Sequence, residues 1–258
     1  MLRLIDTHAH LDEIEDLHVA LRDASDVGLV AIVAVGTGYD SNQRVLEISR
    51  QYGKLVYPAL GLHPWQLGYM KAAEVERTFY QIEDNIGETV AIGEVGLDYH
   101  KRVKALASKD RQKAVLGGLM GLAKKYRRPI IIHSRYSWKD ALILAMEAGI
   151  EEAVFHWYTG PSSVLRDIIA QGYFISATPA SEYHAEHRRA VREAPLLNLL
   201  LETDAPVEYG RESKYTSVPK DVRRSLSAVS EIKGMEEAAL AEQTTQNALR
   251  FFLMGIAP

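Results

Sequence analysis

Leu4-Ile5-Asp6-Thr7-His8-Ala9-His10-Leu11-Asp12 opens the chain with an apolar run that closes on two histidines one small residue apart. It reads as a buried strand ending in a site. Successive strand side chains point to opposite faces, so positions two apart point the same way, and His8 and His10 converge. Two convergent neutral imidazoles suit zinc, iron, nickel or copper. The same unit, an apolar run followed by a chemistry-bearing residue, recurs along the rest of the chain.

Residues 29–36, 55–61, 89–93, 130–132, 153–155, 173–176 and 197–201 are further apolar runs. Their near-continuous hydrophobicity is the pattern of strands buried on both faces, as in parallel sheets. Between them lie helix-patterned segments at 14–26, 41–52, 72–85, 108–126, 138–148, 162–171 and 185–194, with two more at 218–233 and 236–252. Strand and helix alternate about eight times without a linker or a shift of composition. That count implies parallel βαβ units closed into a single α/β (β/α)8 TIM barrel, one domain over residues 1–258. The polar, tyrosine-containing stretch 207–218 lacks periodicity and follows the last strand, so it is expected to lie over the barrel mouth.

Composition narrows the chemistry. A chain of 258 residues, 47% hydrophobic and 25% charged, buries a large core. It contains no cysteine, which excludes disulfides, thiolate ligands and a cysteine nucleophile. Any metal must therefore be held by His, Asp and Glu. A formal net charge of −4 argues against coating nucleic acid through bulk positive charge. No transmembrane run and no signal peptide are visible, so a cytoplasmic protein without a membrane or an obligate protein partner is expected.

His8 and His10, His63, Glu94, His133, His156 and Asp204 each stand where an apolar run gives way to a loop. In a barrel those strand ends gather at one face, where active sites are assembled from several strands. His18, His100, His184 and His187 fall in helices or loops and carry no such signal. With this many donors, two divalent ions are expected, zinc, magnesium or manganese, with Glu94 bridging them through its two oxygens. Such a centre acidifies water, and Asp204 is placed to accept its proton. Hydrolysis is the economical conclusion.

Read in series, these residues resemble the TatD family of metal-dependent deoxyribonucleases, within the amidohydrolase-like barrels. The resemblance is carried by Ile5-Asp6-Thr7-His8-Ala9-His10-Leu11, Gly61-Leu62-His63-Pro64, Gly93-Glu94-Val95-Gly96-Leu97-Asp98-Tyr99, Ile132-His133-Ser134-Arg135, His156 with Gly160, Glu202-Thr203-Asp204-Ala205-Pro206, and Asn247 with Phe251 and Phe252. It implies that His8, His10, Glu94 and Asp204 serve one metal, and Glu94, His133 and His156 the other. His63 would then lie beside the substrate, with Arg135, Thr159 and Gly160 as further substrate contacts. The implied reaction is cleavage of DNA, single-stranded or at ends. Two stretches depart from the family pattern. His156 is followed by Trp157-Tyr158-Thr159-Gly160 in place of Cys-Phe-Ser-Gly, and Lys214-Tyr215-Thr216-Ser217-Val218-Pro219 replaces an Arg-Asn-Glu-Pro-like stretch.

Lys101, Arg102, Lys104, Arg135, Arg211 and Lys214 are expected near the active face, where they would contact phosphates. Lys124, Lys125, Arg127 and Arg128 precede a strand and belong to the opposite end. The competing reading keeps the metals and changes the bond, to an amide, a lactone or an ester, including an aminoacyl ester on tRNA. A non-catalytic binding barrel would require a lost ligand, and none is missing.

Overall fold

The computed structural model describes residues 2–252; Met1 and residues 253–258, included in the expected domain, lie outside the described residues. The chain begins with β1 (Leu4–Ala9), α1 (Leu17–Asp26), β2 (Leu29–Val35), α2 (Tyr39–Gln51), β3 (Val56–Leu62) and α3 (Ala72–Asp84). It continues through β4 (Ala91–Gly96), α4 (Lys101–Leu106), α5 (Lys109–Tyr126), β5 (Ile130–His133), α6 (Trp138–Ala148), β6 (Ala153–Phe155) and α7 (Ser162–Ala170). Then come β7 (Phe174–Ala177), α8 (Ala185–Glu193), β8 (Leu199–Leu201), the short pair β9 (Glu208–Tyr209) and β10 (Tyr215–Thr216), α9 (Val222–Lys233) and α10 (Glu237–Phe251).

β1 to β8 form one sheet in sequence order, each strand parallel to the next. The seam between β1 and the segment after β8 closes by backbone bonds. Asp204 N–H donates to His8 O at 2.9 Å, and His10 N–H donates to Ala205 O at 2.7 Å. The Thr7 hydroxyl adds a bond of 2.9 Å to Leu201 O. The architecture is thus the (β/α)8 barrel expected from the alternation of apolar runs.

Two layers of apolar side chains fill it. One lies between strands and helices; the other fills the barrel axis with Ile5, Ala31, Val33, Val35, Ala59, Ala91, Ile131, Val154, Phe174 and Leu200. Phe251 at the end of α10 and Phe252 just after it seal the end away from the site, with the Phe251 ring centroid 5.2 Å from that of Phe174. Asn247 pins the same helix, donating to Leu196 O at 2.7 Å and to Leu199 O at 2.9 Å.

The first helix starts later than its apolar pattern implies. Leu11–Glu13 makes a short 3-10 turn, and the Asp16 carboxylate then caps α1 by accepting Val19 N–H at 3.3 Å. The aperiodic stretch 207–218 is not featureless, since β9 and β10 pair within it and Tyr209 tucks its hydroxyl onto Thr203 O at 2.8 Å. Among the described residues no helix is long and apolar enough to cross a membrane.

His187, silent in the sequence, lies on α8 and is fully buried. Its Nδ1–H donates to Tyr158 O at 2.9 Å while Nε2 accepts Thr178 N–H at 3.1 Å. Both nitrogens are committed to the neutral ring. Burial pushes its pKa down to about 4, and a second N–H would point at the Thr178 donor. The unfolded chain, with an ordinary histidine near 6.5, therefore binds a proton that the fold refuses between about pH 6.5 and 4. His187 contributes stability above that window and loses it as pH falls. We expect His187→Gln to reduce the acid-side slope of unfolding free energy against pH by up to about 1.4 kcal/mol per pH unit, measured by urea denaturation across that range.

Candidate metal centre

Strand ends deliver the donors. β1 carries His8 and places His10 one residue beyond its end; His63 follows β3, Glu94 stands within β4, His133 ends β5, His156 follows β6, and Asp204 lies three residues past β8. All converge on the Glu94 carboxylate. Its Oε2 is 3.4 Å from His8 Nε2 and 3.5 Å from His10 Nε2, and the Asp204 Oδ1 lies 3.4 and 3.3 Å from the same two nitrogens. Its Oε1 is 2.8 Å from His133 Nδ1, 2.8 Å from His156 Nε2 and 3.3 Å from His63 Nε2. One carboxylate thus faces two groups of imidazoles, one with each oxygen.

The donor geometry fits a divalent ion. Four ligands at about 2.1 Å in a tetrahedron stand about 3.4 Å from one another, the spacing found among His8, His10, Glu94 and Asp204. The buried His8 Nδ1 and Nε2, His10 Nδ1 and His156 Nδ1 have no hydrogen-bond partner, an expensive state for polar atoms unless something else satisfies them. His8, His10 and Asp204 form one candidate ligand group, His63, Glu94 and His133 a second, and His8, His156 and Glu202 a third. These clusters are compatible with one or two divalent ions.

Electrostatics tell the same story. Burial opposes ionisation of Glu94, yet His63, His156 and the hydrogen bonds from His133 and His156 hold its carboxyl well below the usual range. Burial likewise disfavours charge on His10, but Asp204 and then Glu94 outweigh it and push its pKa up to about 9. His156 is raised well above its ordinary value against burial, by Glu94 and Glu202. The negative field that holds protons on these rings is the field that favours a cation. His63 goes the other way. Burial, only partly offset by Glu94, pushes it down to about 4 and keeps it neutral at pH 7.

Three carboxylates without an assigned role in the sequence reading support this cluster. Asp98 accepts His133 Nε2–H at 3.2 Å, Trp65 Nε1–H at 2.6 Å and the Arg135 guanidinium at 3.0 and 3.2 Å. Glu202 lies 3.5 Å from His156 Nδ1 and accepts Trp157 N–H at 3.0 Å. Asp6 accepts Thr203 N–H at 2.9 Å and its hydroxyl at 2.6 Å, tying β1 to the segment that carries Asp204. The available signal was adjacency: Asp98 and Glu202 sit in the Glu94 and Asp204 motifs.

Glycine makes the close approach possible. A Cβ on Gly61 would lie 2.3 Å from Glu94 O and 2.5 Å from Glu94 N. Asn42 of α2 holds Gly61 in place from the other side, donating to its carbonyl at 2.9 Å and accepting its N–H at 3.0 Å.

Above the cluster opens a cavity of about 850 Å3 whose walls include His63, Arg135, Thr159, Trp65, Tyr136, Trp138, Trp157 and His184. Several sequence expectations change here. Gly160 does not line the cavity: a Cβ there would strike the Tyr158 hydroxyl and the Trp138 ring, so the residue is needed for packing. Tyr158 is buried and packs, whereas Trp157 reaches the cavity from a left-handed backbone at φ 41°. Arg211 donates to Tyr183 O at 2.6 Å and Lys214 pairs with Glu208 at 2.6 Å, so neither lines the cavity, and Lys101, Arg102 and Lys104 lie outside it on α4. Among the described lining residues Arg135 is the one lysine or arginine. His184, without a signal in the sequence, does line it.

A parallel barrel with a histidine–carboxylate cluster at the C-terminal ends of its strands defines a metal-dependent hydrolase of the amidohydrolase-like class. The family described as TatD related DNase matches residues 5–253, and the chain belongs to that family. It is 31% identical over 259 residues to the human protein named Deoxyribonuclease TATDN3, covering 96% of this chain and 94% of that one. It is 34% identical over 258 residues to a Xenopus laevis protein named Putative deoxyribonuclease tatdn3-B, again covering 96% of this chain and 94% of the other. The crystal structure of YJJV, a TatD homolog from Escherichia coli, matches it with a TM-score of 0.88 at 27% identity, over 97% of this chain and 98% of that chain.

Asp98 supports His133 through the ring nitrogen opposite Glu94, and such outer partners typically carry 10–100-fold in metal affinity. Asp98→Asn is therefore expected to weaken zinc binding by about that factor without unfolding the barrel, as read by isothermal titration calorimetry and far-ultraviolet circular dichroism.

Proposed function

We infer that this protein hydrolyses phosphodiester bonds of DNA, using two divalent ions that His8, His10, Glu94, His133, His156 and Asp204 would hold. The observation that carries this reading is the division of labour at the Glu94 carboxylate, one oxygen facing His8 and His10 and the other facing His63, His133 and His156. His8, His10, Glu94 and Asp204 are assigned to one ion, and Glu94, His133 and His156 to the other. The preponderance of imidazole donors suits zinc better than magnesium. Bound there, the ions supply Lewis acidity that lowers the pKa of water and stabilises charge on phosphoryl oxygens.

The chain's own residues do the rest. Asp204 is the base that accepts a proton from the attacking water. His63 accepts Trp65 N–H on Nδ1 at 3.2 Å, which leaves its proton on Nε2. That Nε2–H faces Glu94 Oε1 at 3.3 Å, and once Glu94 is engaged by metal it would be a neutral donor for a phosphoryl or leaving oxygen at the same edge of the cluster. Arg135, held by Asp98, presents a fixed cation at the cavity wall for a neighbouring phosphate. Thr159 adds a hydroxyl on the same wall. The names carried by the human and Xenopus relatives support DNA as the substrate.

The test is hydrolysis of single-stranded DNA by metal-stripped protein with magnesium, manganese or zinc restored in turn. Cleavage is expected only with metal. Glu94→Ala and His133→Ala should each abolish it while circular dichroism remains that of a folded barrel, because each removes a ligand rather than core volume. Cleavage that survives both substitutions overturns the two-metal reading. Metal binding without DNA cleavage moves the assignment to carboxylic and aminoacyl esters, the next substrates to assay.

A further inference from the structure

The cavity wall holds aromatic faces that neither the metal cluster nor the hydrolytic residues use. Trp65 is 51% exposed and Tyr136 is 59% exposed; the Arg135 guanidinium lies 5.3 Å from the Trp65 ring centroid, and Tyr136 follows Arg135 in the chain. Large apolar rings left this open at the rim of a cavity mark a binding surface.

Both rings are held. Trp65 is anchored at its edge by the 2.6 Å bond from Nε1–H to Asp98, with its centroid 5.1 Å from His63 and 5.3 Å from the Arg135 guanidinium. Tyr136 sits at φ 58°, a left-handed conformation that a residue with a Cβ seldom takes. Its ring lies near-parallel to His100, at 6.3 Å and 26°, and edge-on to Trp138 at 5.9 Å. Rings fixed before a ligand arrives cost little ordering entropy when it binds.

Charge argues in the same direction. Arg135 is the one lysine or arginine among the described lining residues, while Glu13 and Glu186 also line the cavity. A nucleic acid strand entering this mouth gains little from backbone cations beyond the cluster itself. Affinity for the strand has to come from its bases.

We propose that Trp65 and Tyr136, on the wall of one cavity, offer stacking faces for a nucleobase next to the scissile phosphate, with Arg135 beside Trp65 on the adjoining phosphate. The subsite restricts the substrate to unpaired nucleotides, since a base within a duplex hides its faces. It deepens the nuclease reading and rests on it.

All three tryptophans of the chain, Trp65, Trp138 and Trp157, line this cavity, so intrinsic tryptophan fluorescence reports on it alone. Metal-loaded protein is titrated with a ten-residue oligothymidylate carrying cleavage-resistant phosphorothioate linkages, and with an abasic strand of equal length and charge. The base-bearing strand should quench fluorescence at a concentration about tenfold lower. In cleavage of the ordinary phosphodiester strand, Tyr136→Ala should raise KM about tenfold with kcat unchanged, and Tyr136→Phe should restore it. On the abasic strand Tyr136→Ala should have no effect.

Equal quenching by the two strands, or a Tyr136→Ala variant with unchanged KM on the base-bearing strand, overturns the subsite. Cleavage that ignores the bases refutes the subsite and leaves the nuclease standing. Base-dependent quenching without cleavage under any restored metal refutes the nuclease and leaves the subsite.

Discussion

The structure turns on one buried carboxylate. Glu94, 3% exposed, lies within 3.5 Å of imidazole nitrogens from five histidines. A carboxylate taken this far out of water is costly unless nearly every lone pair is met, and removing one partner leaves charge uncompensated. Those partners come from four other strand ends spread around the barrel. The centre therefore exists only when the sheet has closed, and its charge balance links distant parts of the chain.

Closure itself relies on polar devices near the site. The Asp6 carboxylate takes two hydrogen bonds from Thr203, and Asp204 N–H bonds His8 O, so the last segment is locked to the first strand where two donor residues meet. On the opposite side, Gly61 lets the Glu94 backbone approach without a Cβ between them, and Asn42 holds that contact. The apolar axis and the Phe251–Phe252 plug supply burial; these polar contacts set where the donors stand.

Outside the cluster, the mouth differs from what a nucleic-acid partner suggests at first sight. Of the lysines and arginines that the sequence places near the active face, Arg135 lines the cavity, whereas Lys214 is drawn to Glu208 and Arg211 to Tyr183 O, and Lys101, Arg102 and Lys104 lie beyond it on α4. Ordered aromatic rings occupy the wall instead. Asp98 joins the two regions, since one carboxylate holds the back of His133, the edge of Trp65 and the head of Arg135.

By itself the sequence determined the periodicity and the donor chemistry. Apolar runs that lead into His63, His133 and His156 are local facts, because a strand buried on both faces is apolar along its length and polar residues gather toward its end; His8 and Glu94 lie inside β1 and β4, where the closed cluster supplies their partners. The lack of cysteine settled which ligand types remain. What only the tertiary structure decided is which atoms share a partner. Glu202 beneath His156, Asp98 behind His133, Gly160 in packing and His184 at the cavity are relations between loops far apart in sequence. The tilt and register of eight strands set those distances, and no local pattern encodes them.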